Sequence, residues 1–287
     1  MGTLLHDPVM FVLILLLGLL AGVLGGMLGV GGSVVMIPGL AILFSLNKSA
    51  EPNQHLFQAS AMIVNVVVSV PAMLRHRKAG ALVSDALICM LPAALLFILI
   101  GVWVSNLPVF EGPVGGRWLG RLLAVFLVYV IFANIQKLRA RAPIEKVNTE
   151  LVTPARGLTV GAVMGTIAGL LGIGGGAIAV PLQQMLLKLP LRNCIGNSSA
   201  IICISASIGA IYKNATLAPH MPADGPAGWR ISLLIALLLA PTAWIGSRLG
   251  AGLTHRLPLR QVRVAFILLM AVAAWKMAAI PPGLLAR

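Results

Sequence analysis

Acidic residues are nearly missing from this chain. Seven Asp and Glu stand against 21 Lys and Arg in 287 residues, and all charged residues together make up 10%. A water-soluble domain carries roughly 25%, so an ordinary soluble fold is excluded. Asp7, Glu51, Asp85, Glu111, Glu145, Glu150 and Asp224 all fall in loops or at the ends of apolar runs. A cation pathway would place Asp or Glu within a span, which argues against cation transport. Cysteine is also scarce. Cys89, Cys194 and Cys203 are odd in number, lie inside apolar runs and have no CxxC spacing, so a disulfide framework or thiolate metal site is disfavoured. Aromatic residues are only 5%. They do not interleave with the basic residues, which removes the nucleic-acid reading that a net charge of +14 invites.

What the chain does have is apolar sequence. Hydrophobic residues reach 59% and the mean hydropathy is +0.99. Runs near the ~20 residues needed to cross a bilayer recur along its whole length. The expected fold is an all-α polytopic membrane protein in a lipid bilayer. The first run, Pro8–Leu24, lacks a basic leader and flows into the next feature, so it is expected to be retained rather than cleaved.

That feature is a repeat. Gly22–Pro38 reads GVLGGMLGVGGSVVMIP, and Gly165–Pro181 reads GTIAGLLGIGGGAIAVP. Without a gap, Gly18, Gly22, Gly26, Gly29, Gly31, Gly32 and Pro38 meet Gly161, Gly165, Gly169, Gly172, Gly174, Gly175 and Pro181. Each copy predicts an apolar helix, a glycine-rich break and a short second helix. A break inside apolar surroundings exposes backbone amides that need partners. The half-helix that follows points its partly positive amino end at the break, and two such ends facing each other make an anion site without a charged side chain. The spacing of Gly18, Gly22 and Gly26 reads as helix packing through small residues.

Ten segments follow. Segment 1 runs from about Pro8 to Leu28, and segment 2, Ser33–Ser45, is too short to span. Asn47–His55 reads as a polar loop. Segment 3, Leu56–Leu74, carries Gln58, Asn65, Ser69 and His76 within a narrow angle at 3.6 residues per turn. Such a stripe faces protein or a wet cavity, either for interhelical bonding or for a substrate. Arg75–Lys78 reads as a basic loop. Segments 4 and 5 are Leu82–Leu107, with a kink expected at Pro92, and Trp118–Leu138. The polar stretch Lys137–Arg156 reads as a surface linker. Segments 6 to 10 are Leu158–Leu171, Ala177–Leu187, Cys194–Tyr212, Trp229–Leu253 and Val262–Ile280. Residues 1–141 thus form one repeat, 142–156 the linker and 157–287 the second repeat.

With each segment counted as one crossing, 14 Lys and Arg fall on one side and 7 on the other. The second set includes Lys213. The richer side is cytoplasmic by the positive-inside rule, which puts the linker inside and the amino terminus outside. Five passes per half imply two repeats of inverted topology, each with a glycine-broken helix pair, a pattern of transporters with a site near mid-membrane.

The doubled motif, GGMLGVGGSVVMIP and GLLGIGGGAIAVP, together with the RHRKAG turn after segment 3, resembles the sulfite exporter TauE/SafE family. The resemblance covers the full length. It implies a permease of a bacterial inner membrane that handles sulfite, sulfonates such as sulfoacetate, or other small organosulfur anions, with no cofactor. Asn197, Ser198 and Ser199 stand where the family often has a Thr-Ser pair.

The site expected from the residues has two parts. Backbone amides of Gly31, Gly32, Ser33, Gly174, Gly175 and Gly176 hold the anion. Side chains on segments 3 and 8, namely Gln58, Asn65, Asn197, Ser198 and Ser199, complete the shell. Sulfonate oxygens only accept hydrogen bonds at neutral pH, and this set offers donors without carboxylates. The bland reading of the glycines is helix packing alone. A dinucleotide fingerprint fails, because no Asp or Glu lies between Asp7 and Glu51 and no strand precedes the glycines. An intramembrane enzyme would use Ser33, Ser198 or Ser199, but His6, His55, His76, His220 and His255 are all at segment ends or in loops. A transporter of another small anion is the other alternative. Coupling to a proton or other ion, and the oligomeric state, stay open.

Overall fold

The computed structural model describes residues 8–46, 53–139, 149–221 and 227–254, with scattered positions from 258 to 275. Among the described residues there is no strand. The helices are Pro8–Leu28 (α1), Ser33–Leu46 (α2), Gln54–Lys78 (α3), Ser84–Ser105 (α4), Gly112–Arg139 (α5), Pro154–Leu171 (α6), Gly176–Leu182 (α7), Leu191–Ala215 (α8) and Gly228–Leu253 (α9). Short 3-10 turns cover Pro108–Phe110, Thr149–Leu151 and Ala218–His220, and α7 runs on into a π turn, Gln183–Leu187. Among the described residues, seven helices are long and apolar enough to cross a membrane: all of these except α2 and α7.

Local chemistry explains the boundaries. Asn53 caps α3, its side chain accepting the Leu56 N–H at 3.1 Å. Pro154 opens α6, where its missing N–H costs nothing. The basic quartet Arg75–Lys78 is not a loop but the last turn of α3. Cations favour a helix carboxyl end, and Arg75, Arg77 and Lys78 reach solvent while His76 turns inward and is buried. His55, expected in the preceding loop, lies in the first turn of α3 and is also buried. Segment 5 starts earlier than its apolar run suggested, at Gly112. Pro92 and Pro241 lie inside α4 and α9, which continue through them. Segment 10 falls mostly outside the described residues.

The helices form two layers of exposure. In α3 and α8, 72% and 67% of the apolar window is buried, against 33–44% for the other five spans. These two therefore form the centre. The outer helices expose large apolar side chains, among them Leu16 and Leu20 on α1, Ile88 and Leu96 on α4, Val125 and Phe132 on α5, and Leu237 and Ile245 on α9. Such a belt suits lipid. Nearly all of α2 is buried, as expected of a helix that is apolar all round.

Helix contacts in lipid lack a hydrophobic driving force and depend on close backbone approach. The glycine columns supply it. Gly18, Gly22 and Gly26 of α1 lie against Leu239, Ala243 and Ser247 of α9, and Gly161, Gly165 and Gly169 of α6 lie against Met90, Ala94 and Ile98 of α4. A Cβ on Gly165 would come within 2.6 Å of the Ala94 carbonyl oxygen. In both pairs the residue numbers rise together, so α1 runs parallel to α9 and α6 parallel to α4. The Ser247 hydroxyl donates to the Val68 carbonyl, and Arg75 approaches Gly252, so α3 also runs with α9. Asn193 bonds Ala81, Gly209 meets Ile98 and Lys213 bonds Ser105, so α8 runs with α4. Lys213 bonds His55 and Gly209 approaches Met62, so α8 runs against α3. Helices α1, α3 and α9 thus point one way, and α4, α6 and α8 the other.

Candidate functional site

Each glycine motif breaks a helix where the sequence placed the break. Helix α1 stops at Leu28 and α2 starts at Ser33, while α6 stops at Leu171 and α7 starts at Gly176. Gly31 has φ 77° and Gly174 φ 72°, a left-handed conformation that glycine adopts freely and other residues at a cost. Both glycines lie against one side chain. A Cβ on Gly31 would be 2.8 Å from Asn65 Oδ1, and a Cβ on Gly174 would be 2.8 Å from Asn65 Nδ2. The breaks also touch each other, since a Cβ on Gly176 would be 2.7 Å from the Val30 Cα. The two motifs, 143 residues apart in sequence, converge on the middle of α3.

Asn65 is fully buried and engages Ser33 twice. Its Oδ1 accepts the Ser33 N–H at 3.0 Å, and its Nδ2 donates to the Ser33 hydroxyl at 2.8 Å. The first free amide of α2 is therefore capped from another helix. Among the described residues, no hydrogen bond is made by the backbone N–H groups of Gly31, Gly32, Gly174 or Gly175.

The other expected side chains divide. Gln58 donates from Nε2 to the Leu170 carbonyl at 3.2 Å, closing the end of α6, and its Oε1 is buried without a partner. Ser198 donates to the Gly29 carbonyl at 2.8 Å and does the same for the end of α1. Each central helix thus caps a broken helix from the other half of the chain. Asn197 and Ser199 bond to neither break. Asn197 Oδ1 accepts the Val83 N–H at 2.9 Å and its Nδ2 donates to Gln183 Oε1 at 3.2 Å, which ties the start of α4 to the π turn. Ser199 bonds back to the Ile195 carbonyl within its own helix. Adjacent positions on a helix point ~100° apart, so three polar residues in a row cannot share one target.

A second polar cluster was hidden from sequence reasoning. Lys213, counted above among loop charges, is fully buried in the last turns of α8. Its ammonium reaches Asn106 Oδ1 at 2.7 Å and Ser105 Oγ and His55 Nδ1 at 2.9 Å each. His55 Nε2 lies 2.8 Å from the Phe110 carbonyl, so Nε2 carries the hydrogen and Nδ1 accepts. The His220 ring stacks on His55 at 3.9 Å. Outside the spans, the half-buried His220 imidazole is held below its ordinary range by burial and by Lys213, with Glu111 opposing. A signal did exist: Lys213 falls on the helical face of Ile202, Ala206 and Ala210, all buried.

Two broken helices meeting at a buried polar side chain, among the seven apolar spans of the described residues, define a multi-pass α-helical membrane protein with a broken-helix core. The family profile described as sulfite exporter TauE/SafE matches residues 14–277, and the chain belongs to that family of membrane transporters. Similar proteins include the probable membrane transporter protein MamO of Magnetospirillum gryphiswaldense, 28% identical over 86% of this chain and 41% of its own length. The probable membrane transporter protein YunE of Bacillus subtilis is 25% identical, covering 90% of this chain and 95% of its own. A probable membrane transporter protein of Haemophilus influenzae is 27% identical, covering 93% and 97%. The chain thus spans under half the length of the MamO relatives it matches. No solved structure matches it.

Proposed function

We propose that this chain is a secondary transporter of small organosulfur anions, sulfite or a sulfonate, bound between Gly31–Ser33 and Gly174–Gly176. The observation that carries the reading is Asn65, whose amide lies against both glycine breaks. Its Oδ1 accepts the Ser33 N–H as an anion oxygen would. An incoming anion takes that place and gains the Gly31, Gly32, Gly174 and Gly175 amides, while Asn65 Nδ2 remains as a side-chain donor. Each half-helix start adds up to ~2 kcal/mol of favourable dipole interaction in a partly buried setting. Gln58 Oε1, an acceptor, suits a bound water or a protonated anion oxygen.

In the same reading, residues 1–141 and 157–287 are inverted repeats joined by a cytoplasmic linker, in a bacterial inner membrane with the amino terminus outside. Support comes from helix direction: α1, α3 and α4 each run opposite to their counterparts α6, α8 and α9. Support also comes from charge. With Lys213 buried rather than in a loop, the Lys and Arg count becomes 14 against six. An enzymatic role for Ser33 has less support, because its hydroxyl faces the Asn65 amide, which is no general base.

Purified protein in proteoliposomes, given sulfite, thiosulfate, sulfate, sulfoacetate and taurine in turn, tests the proposal. Saturable flux of one or more sulfur oxyanions is the expected result. Vesicles as tight as protein-free controls to the whole panel would sink it.

A further inference from the structure

Among the described residues, Lys213 is the only Lys or Arg that is buried. Three acceptors hold its ammonium, Asn106 Oδ1, Ser105 Oγ and His55 Nδ1, and none carries a charge. A cation inside a span without a counter-charge is unfavourable. Bracing does not require one. At the same end, the uncharged Asn106 and Asn53 amides tie Thr216 Oγ1 and the His220 carbonyl, both at 2.7 Å. What lysine adds is a positive charge with no acidic side chain among its partners.

The same three bonds tie three helix ends. His55 lies in the first turn of α3, Ser105 and Asn106 at the end of α4, and Lys213 in the last turn of α8. An ammonium has three N–H donors, and these acceptors take all of them. An oxyanion that contacts the ammonium must therefore take donors from His55, Ser105 or Asn106, and the tied ends part. It competes well, because it adds the attraction of opposite charges where water is scarce. Water entering with it solvates the ammonium and keeps it protonated. The released neutral acceptors turn to that water.

The neighbours of the cluster lead both ways. Toward the surface, His55 stacks at 3.9 Å on His220, which is partly exposed. Toward the centre, α3 and α8 run from the cluster to the glycine breaks. Asn65 follows His55 by ten residues, ~15 Å along the helix axis. Ser198, bonded to the Gly29 carbonyl, precedes Lys213 by fifteen, ~22 Å. Lys213 thus stands between the surface and the breaks, on the two helices that reach both.

We propose that Lys213 is a second anion site, which receives a small oxyanion at the end of the bundle away from Arg75–Lys78, before the anion reaches the glycine breaks. The closed cluster and an occupied ammonium exclude each other. This end therefore shuts only once the anion has gone on to the breaks or back to water. The place of the site on a transport path rests on the reading above, whereas anion binding at Lys213 does not.

The test has two arms on the full chain. Amide hydrogen exchange in detergent, with and without saturating sulfite, reads the site without transport. In wild type, sulfite should speed exchange roughly threefold or more over residues 102–107 and 212–217, the ends that Lys213 ties. Gly174→Ala, altered at the breaks, should respond alike. In Lys213→Met, and in Lys213→Gln, which keeps N–H donors without the charge, sulfite should add nothing. No response in wild type, a response undiminished in the Lys213 variants, or one lost in Gly174→Ala overturns the site. The second arm is sulfite flux in proteoliposomes. There kcat/KM should fall about tenfold or more in Lys213→Gln and largely recover in Lys213→Arg, which keeps a permanent cation. An unchanged value in Lys213→Gln, or an equal loss in Lys213→Arg, overturns the place of Lys213 on the path. If no anion of the panel moves, the transport reading fails, and the exchange data still decide the anion site.

Discussion

Replacing Gly174 by alanine tests the convergence of the two breaks, and Gly80→Ala is its control. Both glycines have positive φ, 72° and 66°. Alanine in that conformation costs ~1–2 kcal/mol at either place. The surroundings differ. Nothing lies within 4 Å of a Cβ on Gly80, whereas a Cβ on Gly174 would sit 2.8 Å from Asn65 Nδ2. Something must shift, and the soft element is the Asn65 amide with its two bonds to Ser33. Losing those bonds costs about 0.5–1.5 kcal/mol each, more if an amide is left buried and unpaired. Gly174→Ala should therefore be ~2–5 kcal/mol less stable than wild type, against ~1–2 for Gly80→Ala. Thermal unfolding in detergent reads this difference. Calorimetric titration with the best-transported anion reads the second effect: affinity falls tenfold or more in Gly174→Ala, ~1.4 kcal/mol per decade, and is unchanged in Gly80→Ala. Equal stability of the two variants, with wild-type affinity in both, would refute the idea that Gly174 and Asn65 form one site.

Three further outcomes are expected. Ser33→Ala removes the acceptor for Asn65 Nδ2 but keeps the backbone amide, so it should cost about 0.5–2 kcal/mol in stability and leave anion binding measurable by the same titration. Asn197→Ala leaves the Val83 amide and Gln183 Oε1 without their Asn197 partner; it should lower stability by about 1–3 kcal/mol while the order of preference among anions stays as in wild type. For His220, the folded imidazole titrates below its ordinary value, so the folded state binds fewer protons than the unfolded chain. Its contribution is present at neutral pH and is lost as pH falls below about 6.5, so His220→Gln should flatten the melting curve between pH 7 and 5.

The broken-helix core was legible because glycine spacing carries it directly: the motif repeats without a gap, and the breaks at Gly29–Gly32 and Gly172–Gly175 fall where the motif put them. The polar stripe on α3 was legible for the same reason, since helical periodicity brought Gln58, Asn65 and His76 to one face. The roles within it were not. Whether Asn65 meets a ligand or Ser33 depends on where α2 packs, which no local pattern encodes. Asn197 looked equivalent to Ser198 by adjacency, yet the helical turn sends it to Val83 and Gln183. The Lys213 cluster escaped because a lysine near the end of an apolar run normally reaches solvent. Its partners, Ser105, Asn106 and His55, are over a hundred residues away in the chain.

The central claim is that an anion binds where the two glycine breaks meet. A high-resolution structure of the protein with selenite, an electron-dense analogue of sulfite, tests it most directly. The account predicts anomalous density beside Asn65, within hydrogen-bond reach of backbone N–H groups from both Gly31–Ser33 and Gly174–Gly176, with Asn65 Oδ1 drawn away from the Ser33 amide. Density at another place, with Asn65 still bonded to Ser33 and the breaks unchanged, would contradict it and reduce the glycines to helix packing.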